Sequence, residues 1–313
     1  MLAAAVAALV RELRGLDAAA LGAHIRSYGP GLLAIGLTAC VASFLVLGIV
    51  ELIAVRGWAH IRVLSPTLIV ATSFVANAMS QSIGLSVVTG AAVRERTYSR
   101  HGVDGGGVAR ISAFVTVTAT LGLLACGGVA LLAAPAHLAS GRMSIATTPL
   151  GVGLLVVVAA YVAWSAFGRS THVGKGRWRV ERPSFATASA QVVLSMLDWV
   201  LAATVLFAFV PASLSFSYGA IVSAYIIAQL LAVTSHVPAG AGVFEVAILS
   251  LLAHDASVPM RAGIAAALVM FRIVYYLLPL IAAVLVALIA EVRLRRVTSD
   301  TRVASAPLVH HAG

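Results

Sequence analysis

Long apolar runs alternate along this chain with short polar connections, most of them basic. The runs fall at about 31–53, 66–93, 108–134, 149–167, 184–210, 218–235, 243–254 and 262–290. About 20 apolar residues in a helix cross the roughly 30 Å of bilayer hydrocarbon. A helix also satisfies every backbone group where no water can. The pattern therefore predicts an all-α fold, a polytopic transmembrane helical bundle of about eight spans. It divides the chain into an N-terminal cytoplasmic or interfacial segment (1–30), a transmembrane domain (31–296) and a disordered cytoplasmic tail (297–313). Met1–Val10 is apolar but has no basic residue before it, so it reads as a short interfacial helix rather than a signal peptide.

Two runs fit this scheme badly. The second would be about 42 Å long as one helix and carries Asn77, Ser80, Gln81, Ser82, Gly84, Ser86, Thr89 and Gly90. The seventh, Val243–Ala253, is too short to cross upright, contains Glu245, and follows His236-Val237-Pro238-Ala239-Gly240-Ala241-Gly242. Both are expected to be broken or re-entrant. Such interruptions are tolerated where protein or a watery cavity covers the freed backbone, and paired interruptions point to a transport site.

Composition agrees with a membrane protein. Apolar residues make up 61% of the 313 and charged residues only 10%, against about 25% charged in a soluble domain. The net charge of +10 is read as topology rather than nucleic-acid binding, because no soluble domain is long enough to present a basic face. Cations cluster before the first run (Arg11, Arg14, Arg26), after the second (Arg94, Arg96, Arg100, Arg110), after the fourth (Arg169, Lys175, Arg177, Arg179, Arg182) and after the last (Arg293, Arg295, Arg296, Arg302). The intervening connections hold only Arg56, Arg62, Arg142 and Arg261. With eight crossings this distribution predicts that both termini are cytoplasmic, and it favours a crossing by the seventh run.

Ionisable residues inside a span cost roughly 2.5–3.5 kcal/mol on insertion scales and are functional candidates by default. Four qualify: Glu51, Asp198, Glu245 and Arg272. Arg272, Tyr275, Tyr276 and Pro279 share one face at helical spacing. A guanidinium offers fixed donors suited to phosphate, and the tyrosines could line a headgroup's path. The alternative is a structural ion pair with Asp198 or Glu245. Polar stripes also occur at Asn77, Ser80, Gln81 and Gly84, at Gln191, Ser195 and Asp198, and at Tyr225 and Gln229. Each stripe could be helix–helix glue; together they predict an enclosed polar cavity. Gly240 and Gly242 permit close backbone approach and could present N–H groups to an anion. Glu245 could serve in the site or cap its own helix, and Glu51 could be a site residue or a snorkelling acid.

Catalytic signatures are missing. Gly168 to Lys175 has the wrong spacing for a phosphate loop, and no HExxH, GxSxG or Cys/His cluster occurs. Cys40 and Cys126 lie within apolar runs. The His310-His311 pair reads as part of a solvated tail.

Three motifs, Asn77–Tyr98 (NAMSQSIGLSVVTGAAVRERTY), HVPAGAGVFE at 236–245 and FRIVYYLLP at 271–279, resemble the transmembrane flippase region of the lysylphosphatidylglycerol synthase/flippase family, the multiple peptide resistance factors. The resemblance covers about 35–290. It implies a role in translocating aminoacylated phosphatidylglycerol or a related phospholipid across the bacterial inner membrane. It also implies matching residues at Asn77, Gly84, Thr89, Gly90, Arg94, Pro238, Gly240, Gly242, Phe244, Glu245, Arg272, Tyr275, Tyr276 and Pro279. Ala239 stands where the family usually has a second glycine, and Glu51 where an aspartate after a tyrosine is usual. The aminoacyltransferase domain typical of the family is not recognisable, so lysyl transfer by this chain alone is not expected. The leading expectation is a lipid flippase without cofactor or metal, with a lipid site at Arg272, Tyr275, Tyr276, Asp198, Glu245, Asn77, Gln81, Gly240, Gly242 and Glu51. The alternative is the membrane subunit of a separate synthase. Membrane phospholipid, a synthase subunit and a second copy of the chain are the partners considered; nucleic acid is not expected.

Overall fold

The computed structural model describes residues 26, 28–83, 86–133, 142–168, 172–173, 180–235, 237, 240–253 and 257–304. The expected interfacial helix at 1–10, Gly84, and His236, Pro238 and Ala239 lie outside the described residues. Helix α1 (Pro30–Leu52) continues through a π-helical turn, Ile53–Trp58. Helices α2 (Pro66–Ile83), α3 (Ser86–Tyr98), α4 (Gly105–Ala133) and α5 (Arg142–Phe167) follow. A two-residue antiparallel pair, β1 (His172–Val173) with β2 (Val180–Glu181), precedes α6 (Phe185–Phe209). Then come α7 (Tyr218–Thr234) and α8 (Val243–Leu252). Last is a rod made of α9 (Val258–Phe271), a second π-helical turn (Arg272–Leu277) and α10 (Leu278–Ala304). The fold is an all-α membrane bundle. The rod runs past the tail boundary expected at 296.

Local chemistry starts these helices where it should. Pro30 opens α1, where its missing N–H is no loss. Ser184 and Ser217 cap α6 and α7, accepting from the N–H groups of Thr187 and Ala220 at 3.1 and 3.2 Å. Asp104 does the same for Gly107 at the head of α4. Outward faces are apolar: Val41, Leu45 and Ile49 on α1, Val156 and Val157 on α5, and Ile281, Leu285 and Leu288 on α10 are exposed. Such faces would be a liability in water and are the expected lipid contact in a bilayer.

Among the described residues, five helices are long and apolar enough to cross a membrane: Pro30–Trp58, Gly105–Ala133, Thr147–Phe167, Phe185–Phe209 and Met260–Val292. The other three of the eight expected runs, 66–93, 218–235 and 243–254, are shorter or interrupted helices. The other apolar segments form two hairpins that enter and return. In the first, α2 runs back along α1, with the Ser73 hydroxyl donating to the Leu47 carbonyl at 3.1 Å and Phe74 edge-on to Phe44 at 5.2 Å. Its tip reaches the last rod, where Ser82 donates to the Tyr276 carbonyl at 3.4 Å. Helix α3 then returns along α2, Gly90 lying so close to Ser80 that a Cβ would come within 2.9 Å of its hydroxyl. By Tyr98 the chain is again beside Glu51, near the end of α1 from which it left.

The second hairpin enters from the other end. Tyr218 at the start of α7 packs on Phe207 near the end of α6, ring centroids 5.1 Å apart. Helix α8 returns along α7, with Phe244 5.5 Å from Tyr225 and Gly240 tight against Ala232. Both hairpins are about 20–27 Å deep or less at 1.5 Å per residue, so they end within the bilayer's depth.

One end of the bundle gathers the π turn of α1, the α3–α4 connection, the β pair and Glu291. There Trp58 Nε1 donates to the Glu181 carbonyl at 3.2 Å, and Arg96 and Arg100 reach Glu291 at 3.0 and 3.3 Å. The other end holds Tyr28, whose hydroxyl donates to the Phe209 carbonyl at 2.8 Å. Burial pushes that phenol up to about 12, so it remains a donor at neutral pH. Tyr28 and Glu291 thus lie at opposite ends of the bundle. The chain thus repeats one plan twice in opposite directions: span, hairpin, span in α1 to α4, and again in α6 to α10, with α5 between. The two leading spans, α1 and α6, pack against each other at the centre.

Candidate functional site

Arg272 ends α9 and begins the second π turn. Its Nε donates to Glu245 Oε1 at 2.7 Å, and its Nη2 donates to the same oxygen. Glu245 Oε2 accepts from the Gly242 N–H at 2.9 Å. The carboxylate therefore caps α8 and pairs with Arg272 at once, joining the two sequence readings of that residue. Gly242 has φ +86° and Gly240 φ +60°, conformations that favour glycine. The Gly240 N–H donates to the Val237 carbonyl at 2.9 Å. The two described glycine amides are thus already engaged, and neither is left open to cradle an anion.

The guanidinium lies over the Tyr276 ring at 4.6 Å and near Phe244 at 5.8 Å. Side-chain exposure is 15% for Arg272 and 6% for Glu245, so the cation is the more open partner. The ion pair forms with Glu245 and not with Asp198.

The π turn separates the two tyrosines that helical spacing placed on one face. Tyr275 stacks on Phe271 at 5.4 Å and lies 2.9 Å from the Ser43 hydroxyl, while Tyr276 turns to Arg272. Pro279 supplies a cause, since it has no N–H to give back to the preceding turn. Nearby carbonyls find other donors: Val274 accepts from the Cys40 thiol at 3.4 Å and Tyr276 from Ser82.

A second buried pair lies towards the other end. Arg94 grips Glu51 with two bonds, Nε to Oε1 at 2.8 Å and Nη2 to Oε2 at 2.7 Å, and the Tyr98 hydroxyl donates to Oε1 at 3.0 Å. Side-chain exposure is 0% for Glu51 and 6% for Arg94. Glu51 is therefore not a snorkelling acid. Sequence reasoning took Arg94 for a connection cation; what hid the pair is that its members lie on different elements. Each pair adjoins a π turn, and each ties the returning arm of a hairpin (α3 or α8) to a span.

The remaining expected site residues are spread more widely. Asn77 bonds within its own helix, to the Ser73 carbonyl at 2.8 Å. Gln81 Oε1 is buried without a hydrogen-bond partner among the described residues, one residue from the hairpin tip contact at Ser82. Asp198 accepts from the Ser43 hydroxyl at 2.5 Å. Gln191 joins three spans, donating to Thr118 at 2.8 Å and accepting from Tyr161 at 2.6 Å, and Gln229 donates to the Tyr225 hydroxyl at 3.0 Å. The structure therefore brings Arg272, Glu245, Tyr276 and Gly242 together, links Asp198 to Tyr275 through Ser43, and holds Glu51 apart with Arg94. No group of three or more metal-binding side chains occurs among the described residues.

No family model matches the chain. It is 31% identical over 210 residues to the uncharacterized protein slr0712 of Synechocystis sp., covering 66% of this chain and 64% of that protein. It is 27% identical over 282 residues to the inner membrane protein YbhN of Escherichia coli, covering 90% of this chain and 86% of the relative. The matched region thus spans slightly less than two thirds of the cyanobacterial relative. With the five apolar helices, the likeness to a bacterial inner membrane protein makes this chain a helical membrane protein.

Proposed function

We propose that this chain is a lipid transporter of the bacterial inner membrane, and that its cargo is a phospholipid whose headgroup carries both a phosphate and an amine. Aminoacylated phosphatidylglycerol, the lipid implied by the motifs at 77–98, 236–245 and 271–279, meets that description. One observation carries the reading: two hairpins enter from opposite ends, and Arg272 with Glu245 lies where the second hairpin meets the span touched by the tip of the first.

The charge balance selects the headgroup. Removing one member of a buried ion pair leaves the other uncompensated, at about 3–5 kcal/mol. A headgroup bearing both signs avoids that. Its phosphate replaces Glu245 on the guanidinium, which suits it as a planar donor, and its ammonium takes the released carboxylate beside the rings of Tyr276 and Phe244. The same exchange frees α8 from the rod and so loosens one hairpin only when cargo is present.

The proposed orientation follows from the five crossings. The end with Arg56, Arg62, Arg96, Arg100 and Arg110 also holds Arg182, and the last helix runs out at this end through the sequence Arg293-Leu294-Arg295-Arg296. Cations favour the cytoplasmic face, so this end and the C-terminal rod face the cytoplasm, with Tyr28 on the other side.

Purified protein in vesicles with headgroup-labelled lipids and an impermeant quencher tests the function. Wild type is expected to redistribute the aminoacylated lipid faster than empty vesicles. Arg272→Ala is expected to lower that rate at least about tenfold, equivalent to about 1.4 kcal/mol. Equal rates for folded wild type and empty vesicles, across all lipids tried, would end this reading.

A further inference from the structure

We propose that Asp198 is a proton-binding site through which a proton gradient drives the transport cycle. The inference extends the transport reading, but the proton site itself stands on separate observations. Among the described residues, Glu51, Glu245 and Asp198 are acids in the membrane-depth part of the bundle, and each is buried or half-buried. The first two are each held by an arginine. Among the described residues no cation pairs with Asp198; its partner is the Ser43 hydroxyl.

The surroundings offer no substitute for a cation. Ser43 faces it from α1 and Tyr275 stands behind Ser43 on the π turn. Cys126 on α4 and Tyr225 on α7 feel the charge of Asp198, and both are neutral acids, not cations. From α5, Tyr161 is bound to Gln191, farther along α6. The α9 segment carries Arg261 near its start, while Arg272 at its end is committed to Glu245. Glu51 and Arg94 satisfy one another.

A lone carboxylate deep in a low-dielectric site neutralises rather than remain bare, so this acid takes a proton whenever no other positive charge visits. It is not sealed in, since Asp198 keeps accessible surface in the middle of α6. On this proposal that surface is where the proton enters and leaves.

The link to the headgroup site is a short chain of hydroxyls. Ser43 donates to Asp198 and lies 2.9 Å from the Tyr275 hydroxyl. Tyr275 shares the π turn with Arg272. An ionised Asp198 accepts only and orders the chain with both hydroxyls pointing towards it. A protonated Asp198 is itself a donor and removes that constraint. Protonation at the α1–α6 contact is thereby transmitted to the turn that holds Arg272.

Infrared spectra of the purified protein test the site without any lipid assay. A protonated-carboxyl band is expected at neutral pH in wild type, in Glu51→Gln and in Glu245→Gln, and is expected to be lost in Asp198→Asn. Should Asp198→Asn fail to fold, Ser43→Ala replaces it, with a shifted band as the expected result. No band in wild type, or one unchanged in both variants, overturns the proposal. In vesicles, a pH gradient is expected to speed wild-type lipid movement several-fold, and in Asp198→Asn the ratio of rates with and without the gradient is expected to fall to one. Wild-type movement indifferent to the gradient overturns the coupling. A normal band with no lipid movement leaves the proton site standing and removes the lipid reading instead.

Discussion

Glu51 and Glu245 are chemically alike and are held in different ways. Glu51 accepts three bonds from Arg94 and Tyr98 and has no accessible side chain. Losing its charge strands Arg94, so Glu51→Gln is expected to destabilise the protein by about 3–5 kcal/mol, read as a lower unfolding temperature in detergent. The double change Glu51→Leu with Arg94→Met is expected to recover most of that loss, because neither charge remains. Glu245 is bound to the more open Arg272 and also caps α8. Glu245→Gln keeps a side-chain acceptor for the Gly242 N–H, so its effect on unfolding is expected to be smaller than that of Glu51→Gln, and its effect on lipid movement larger. The same unfolding and vesicle measurements, made on both variants, check this ordering. Sequence patterns identified Glu51, Glu245 and Arg272 by their cost in a membrane but took Arg94 for a connection cation. They did not reveal who pairs with whom, because Glu51 and Arg94 sit on separate helices and spacing within one helix says nothing about such contacts.

Between residues and architecture stand the π turns. The predicted common face of Arg272, Tyr275 and Tyr276 assumes 3.6 residues per turn; a π turn is wider, and it sends Tyr275 towards Ser43 and Tyr276 towards Arg272. Pro279 was visible in the sequence, but its effect on the preceding turn depends on whether other donors cover the freed carbonyls. Cys40, on another helix, provides one here, to the Val274 carbonyl. Pro279→Ala restores the N–H and is expected to relax the turn towards an α-helix, with a gain of up to about 3 kcal/mol in helix stability. The unfolding temperature should rise while lipid movement slows, since the Tyr275–Ser43 contact would be lost. A rise in stability with undiminished transport would show that the π turn has no part in the cycle.

At the scale of the whole molecule, one geometric choice decides the topology. An apolar segment that enters the bilayer and one that crosses it have the same composition and helical period, and they differ only in where the chain goes next. That destination is set by long-range contacts such as Tyr98 with Glu51 and Ser82 with Tyr276, which hydropathy cannot register. Counting the α2–α3 segment as a crossing reverses the side of every connection after it. Counting α7 and α8 as two crossings leaves the later parity unchanged but makes spans of a hairpin. This is why the helices were legible in the sequence and the choice between hairpin and crossing was not. Single cysteines in a background lacking Cys40 and Cys126 separate the arrangements. Arg62→Cys and His101→Cys flank the first hairpin, and both positions are exposed. An impermeant thiol reagent added to intact cells is expected to leave both unlabelled until the membrane is opened, and to label exposed Gly29→Cys and Ser213→Cys at once. Labelling of Arg62→Cys and His101→Cys from opposite faces would mean that the first hairpin crosses, and the inverted pair of repeats would then be lost with it. Labelling of those two alone in intact cells would keep the hairpins and turn the whole bundle over.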